Sequence, residues 1–99
     1  LIIGVLRLVL AIHESFSLKD KRKVVKAILG QIKSRFNVAA SETAMHDVWQ
    51  RAELGLVVVG NHQPELDSVL NKLIDFVEAS FQADIVSADM DFIYLNDRK

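Results

Sequence analysis

The sequence predicts an α+β domain: a single antiparallel sheet of four strands with two helices on one face, in the order βαββαβ. Three observations carry this reading. Apolar residues alternate with a period of two near both ends of the chain, they recur at helical spacing in two longer segments, and the connections are short.

From Ile2 to Ile12, Leu6, Leu8, Leu10 and Ile12 share one face while Val5, Arg7, Val9 and Ala11 share the other. So few polar groups in one strand mark a central position in the sheet. After a polar connection from His13 to Ser17, Ser17 with Asp20 three residues on reads as a helix N-cap. Aspartate is shorter than the glutamate or glutamine of a full capping box, so only the cap is expected. Leu18, Val25, Ile28, Leu29, Ile32 and Phe36 then mark the apolar face of a first helix from Leu18 to Arg35, with Asn37 as its stop. Gly30 lies inside that helix, at a cost of about 1 kcal/mol relative to alanine.

Val38 to Thr43 is short on apolar residues and reads as an edge strand, and Leu54 to Val59, bounded by Gly60-Asn61, as a third strand. The segment between them is polar and carries the only tryptophan, Trp49, read as a packing anchor where the loop re-enters the sheet, with base stacking as the alternative. Pro64 fits the first turn of a second helix marked by Leu66, Val69, Leu70, Leu73, Val77 and Phe81. Ile85 to Leu95 alternates again, with Val86, Ala88, Met90, Phe92 and Tyr94 on one side. One domain over residues 1–95 and a loose tail at 96–99 complete the chain. The arrangement is ferredoxin-like, with right-handed crossovers expected from the first strand to the third and from the second to the fourth.

At 99 residues, with 51% hydrophobic and 25% charged, the composition fits one ordinary globular domain. The absence of cysteine excludes disulfides, thiolate metal sites, iron–sulfur clusters and cysteine nucleophiles. The apolar N-terminal run is interrupted by Arg7 and is too short to span a bilayer, and it has no signal-peptide pattern. A soluble, cytoplasmic protein with no membrane partner is expected.

Charge is sorted between the helices. Lys19, Arg22, Lys23, Lys26 and Lys33 fall within about 100° of arc beside the apolar face of the first, whereas Asp67, Asp75 and Glu78, with Asn71, line the outer face of the second. The like-charge pairs Lys19/Lys23 and Arg22/Lys26 each cost roughly 0.2–0.5 kcal/mol, and the N-terminal half of a helix disfavours cations. A helix made only to cover a core has no need of them. The functional reading is a phosphate-contacting surface for structured RNA or a ribosomal subunit, formed by Lys19, Lys21, Arg22, Lys23 and Lys26 with Lys33 extending the stripe. The alternative is a solvated face whose lysine stems shield the core edge.

Val5 and Val9 on the first strand, with Val57 and Val59 on the third, are expected on the open face of the sheet. Without aromatic platforms on those strands, this patch suits a homodimer interface better than RNA.

No catalytic set emerges. His13, His46 and His62 have no ligand-spaced partner, and Glu42, His46 and Asp47 read as a solvated turn more readily than as a site. Acylphosphatases share the topology but need an arginine-bearing phosphate cradle after the first strand, where this chain has His13-Glu14-Ser15-Phe16-Ser17. Ser15, Ser17 and Ser41 lack a histidine to activate them. A non-enzymatic protein without a cofactor is expected.

Particular stretches carry a resemblance. Ile2-Ile3-Gly4, Ser17-Leu18-Lys19 with Lys21-Arg22 and Val24-Val25-Lys26, Arg35-Phe36-Asn37-Val38, Asp47 with Trp49-Gln50-Arg51-Ala52, Leu54-Gly55, and Val58-Val59-Gly60 resemble the bacterial family called domain of unknown function 503, also described as YlxP-like. The resemblance implies a ferredoxin-like fold, no established enzymatic activity, and a genomic neighbourhood of translation and ribosome-maturation factors. It is an association, not a mechanism.

Overall fold

β1 (Ile2–Ile12) runs through the middle of the sheet, paired antiparallel on one side with β3 (Arg51–Gly60) and on the other with β4 (Ala83–Tyr94). β2 (Ala39–Ala44) pairs antiparallel with β3 and forms one edge, so the strand order is β2-β3-β1-β4. A computed structural model describes residues 1–80 and 83–96. Phe81, expected on the second helix, and residues 97–99 of the expected tail lie outside the described residues.

Helix α1 (Leu18–Arg35) leads from β1 to β2, and α2 (Gln63–Ser80) from β3 to β4. Each helix steps over one intervening strand and joins two strands that point the same way. The expected linkage of first strand to third and second to fourth is therefore corrected: those pairs are not joined by a helix, and β1 and β3 are hydrogen-bonded neighbours.

The core lies between this sheet and both helices. Leu6, Leu8 and Leu10 of β1 are fully buried, as are Leu54 and Leu56 of β3, Ile28 and Ile32 of α1, and Leu70, Leu73 and Val77 of α2. The period of two in β1 places its even residues in this layer and its odd residues on the open face. Gly4 lets the layers meet: a Cβ there would sit 2.9 Å from Val58 Cγ2 and 3.2 Å from Leu70 Cδ1. Beyond the core, the Phe36 and Phe76 rings meet edge to face with centroids 5.8 Å apart, and the Arg35 guanidinium stands 4.7 Å over Phe76.

In β4 the expected alternation breaks. The register against β1 shifts between Val9 and Leu10, so Ser87 opposes Val9 but Ile85 opposes Leu10. Val86 falls at the irregularity and is exposed, while Met90 and Phe92 pack against the core as expected. Beyond the strand ends, Leu1 and Leu95 exchange backbone hydrogen bonds of 2.9 and 3.2 Å.

α1 starts as its sequence predicts. Ser17 Oγ accepts from the Asp20 N–H at 3.1 Å, and Asp20 Oδ2 reaches back to accept from the Phe16 N–H at 3.2 Å. The carboxylate serves the residue before the cap, a variant of the reciprocal capping pattern. Among the described residues, no helix is long and apolar enough to cross a membrane.

Candidate functional site

α1 lays out its cations as the helical spacing requires. Lys19, Arg22, Lys23, Lys26 and Lys33 are all exposed, and among the described residues none of them makes an ion pair. Asp20 on α1, Glu14 and Asp47 in the adjoining loops and Glu42 in the groove are nearby, but Asp20 is used by the helix cap and Glu42 by Lys21.

Lys21 is the exception, and its expected contact with phosphate is corrected. The side chain is fully buried, with its Nζ 2.7 Å from Glu42 Oε2 and donating to the Met45 carbonyl oxygen at 2.5 Å. The ammonium has three N–H donors, so it can meet the Glu42 carboxylate and the Met45 carbonyl together. The burial has a signal in the sequence. Lys21 lies four residues before Val25, in line with the buried stripe Val25, Ile28, Ile32. Its partner, Glu42, sits opposite Leu54 of β3 and so points under the helices.

The exposed cations border a groove of ≈ 590 Å³ between α1 and the edge strand. Arg22, Val25, Lys26, Leu29, Gly30 and Lys33 line it along the helix, and Ser41, Glu42 and His46 line it from the other side. Gly30 keeps this wall low, since a Cβ there would meet nothing within 4 Å. Arg22, Lys26, Gly30 and Lys33 form one stripe at steps of four, four and three residues, so the cations span about 16 Å of helix axis. Such a groove can hold an extended anionic chain by guanidinium and ammonium contacts, with the His46 imidazole across from them and the Glu42 carboxylate already engaged by Lys21. Glu42 and His46 share this groove, whereas Asp47 is exposed outside it.

The open face of the sheet divides into two parts. Thr43 Oγ1 donates to Glu53 Oε2 at 2.6 Å, Arg7 Nε lies 3.9 Å from Glu53 Oε1, and Arg7 Nη2 donates to Asp89 Oδ2 at 2.9 Å. This polar band crosses all four strands. The hydrogen bond that Arg7 donates to Asp89, and then the charges of Asp89 and Glu53, raise the Arg7 pKa above its ordinary value. Towards the other end the face is aliphatic: Ile3 and Val5 of β1, Val57 and Val59 of β3, Ile93 of β4, and Leu1 with Leu95 beyond them. Val59, Ile93 and Leu95 are more than half exposed. Val5, Val57 and Val59 therefore lie together as expected. Val9 does not join them: it is half-buried beyond the Arg7 band, opposite Glu53 and Ser87.

His13 Nε2 lies 2.8 Å from Asp84 Oδ2, and His62 is exposed at the start of α2 with its carbonyl accepting from Glu65 and Leu66. Among the described residues, no group of three or more His, Asp or Glu side chains is placed to hold a metal. Trp49 is not the packing anchor its position suggested, because half of it is exposed.

A profile of the family described as protein of unknown function (DUF503) matches residues 3–90. The chain is a DUF503 protein. Its match spans β1 through most of β4, and so includes α1, the groove and Lys21 with Glu42. This DUF503 domain is also similar to the uncharacterized protein YlxP of Bacillus subtilis (strain 168), at 34% identity over 68 residues, covering 69% of this chain and 74% of the relative. The family assignment agrees with the resemblance seen in the sequence and carries no assigned activity.

Proposed function

We propose that this DUF503 domain is a non-enzymatic factor that holds the phosphate backbone of structured RNA, as on a ribosomal subunit, along α1. One observation carries the reading: Lys19, Arg22, Lys23, Lys26 and Lys33 stay exposed without an internal carboxylate, although the neighbouring Lys21 is given one. Like charges at i,i+4 oppose helix formation, and an external polyanion relieves that repulsion. The groove between α1 and β2 offers such a chain a seat. Lysine and arginine contacts of this kind supply affinity with little sequence reading.

The test is binding of a structured RNA, measured over a series of salt concentrations. The affinity of the wild type is expected to fall steeply with salt. Arg22→Glu with Lys26→Glu is expected to weaken binding with folding intact and to flatten the log–log salt slope by about 2, near 1 for each phosphate no longer neutralised. A slope unchanged by the double substitution removes the proposal.

A second reading rests on the aliphatic end of the sheet's open face. Val5, Val57 and Val59, with Ile3 and Ile93 beside them, give a second copy of the chain a self-complementary surface, and function then lies in protein contacts.

A further inference from the structure

Two loops meet at the end of the sheet from which α1 departs. One joins β1 to α1 (residues 13–17) and the other joins β2 to β3 (residues 45–50). The Ile12 N–H donates to the Gln50 carbonyl at 2.9 Å, Gln50 Nε2 donates to the Ser15 carbonyl at 3.4 Å, and Lys21 Nζ holds the Met45 carbonyl from below. Ser15 is buried between them. Glu14 and Met45, with φ of 54° and 62°, are the non-glycine residues at positive φ among the described residues, one in each loop. A backbone held in that region needs its surroundings to over-determine it, and these contacts do so.

The pinned loops expose rings. Phe16 is 71% exposed and Trp49 52%. Phe36, Phe76 and Phe92 pack instead against the core, and Tyr94 is hydrogen-bonded to Gln63. Phe16 directly precedes the cap of α1, so Lys19, Arg22 and Lys23 follow within about 10 Å of helix rise. Glu14 and Asp47, both exposed, belong to the same loops, so the cations lie along α1 and not at the tip.

We infer that Phe16 and Trp49 form a stacking platform for unpaired bases of the RNA whose backbone α1 holds. The inference rests on the RNA reading above and narrows it to RNA with single-stranded nucleotides beside a helix. Bases in a duplex are already stacked on one another, whereas those of a loop or bulge are free to splay onto aromatic faces. Preset loops spare the protein the ordering cost of forming such a surface on binding.

Trp49, the only tryptophan, is its own reporter. The full chain is titrated with two synthetic RNAs, a hairpin with a long unpaired loop and a blunt duplex of the same stem. Binding is followed by anisotropy of labelled RNA and by Trp49 emission. The hairpin is expected to bind more tightly and to quench Trp49, and the duplex to leave emission unchanged. Phe16→Ala and Trp49→Ala are each expected to weaken hairpin binding about 5- to 100-fold, with duplex binding and the thermal midpoint retained. Trp49→Phe is expected to keep most of the affinity. Equal binding of both RNAs, unaffected by the aromatic variants, overturns the platform and leaves phosphate binding along α1 standing. Failure of the wild type to bind either RNA at low salt overturns both. A concentration-dependent shift of Trp49 emission without RNA places a second copy at the tip and also overturns the platform.

Discussion

A lysine sealed beneath a helix is stable only if its charge and its N–H groups are answered, and Lys21 has Glu42 and the Met45 carbonyl for this. Removing one partner is worse than removing both, because the survivor keeps its desolvation cost. Lys21→Ala is expected to lower stability by about 3 kcal/mol, at the low end for a buried pair because Glu42 keeps 17% of its side chain exposed. Lys21→Met combined with Glu42→Leu is expected to recover most of that loss. Urea unfolding of the single and double variants checks both, and a single-variant loss under about 1 kcal/mol would show that the pair is open to water in solution. The same residue explains why sequence reasoning put it among the phosphate contacts. Lysine is almost always exposed, and the carboxylate that draws this one inside is distant in the chain.

At the scale of the element, α1 joins a strong cap and an apolar stripe to a flank that opposes its own folding. The stripe Val25, Ile28, Ile32 supplies the packing, and Ser17 with Asp20 fixes the start. Against this stand the cations and Gly30. Since a Cβ at Gly30 meets nothing within 4 Å, Gly30→Ala is expected to stabilise the protein by about 0.5–1 kcal/mol. For a domain of this size that is a rise of about 2–8 °C in the thermal midpoint, read by calorimetry. A fall in the midpoint would mean that the groove side of the helix is closed in solution.

At the scale of the whole molecule, the helices occupy one face of the sheet and leave the other to side chains of the strands alone. Arg7 anchors the middle of that open face to Asp89 and Glu53. Its pKa is raised, so any stability it contributes is present at neutral pH, where Asp89 and Glu53 are ionised, and is lost as pH climbs through that raised value. Among the described residues, the aliphatic end has no ion pair of this kind, and Asp91, opposite Val5, is the charge at its margin. If two copies meet there, the wild type is expected to sediment as a dimer and Val57→Lys as a monomer, because the new ammonium would be buried against Val5 and its symmetry mate. A monomeric wild type at tens of micromolar defeats the second reading.

Which face each residue of β1 takes, the span of α1 and the basic flank were legible in the sequence, because each depends on neighbours two, three or four residues away and the period of the chain records them. Long-range pairing decided the rest. It buried Lys21 on Glu42, set Val9 apart from Val5 across the Arg7 band, shifted β4 by one residue at Val86, and left Phe16 and Trp49 exposed on two loops tied by Gln50 and Ser15. These outcomes turn on contacts between segments tens of residues apart: local periodicity puts Lys21 in line with the buried stripe and Arg7 between Val5 and Val9, but it does not record the partners that meet them.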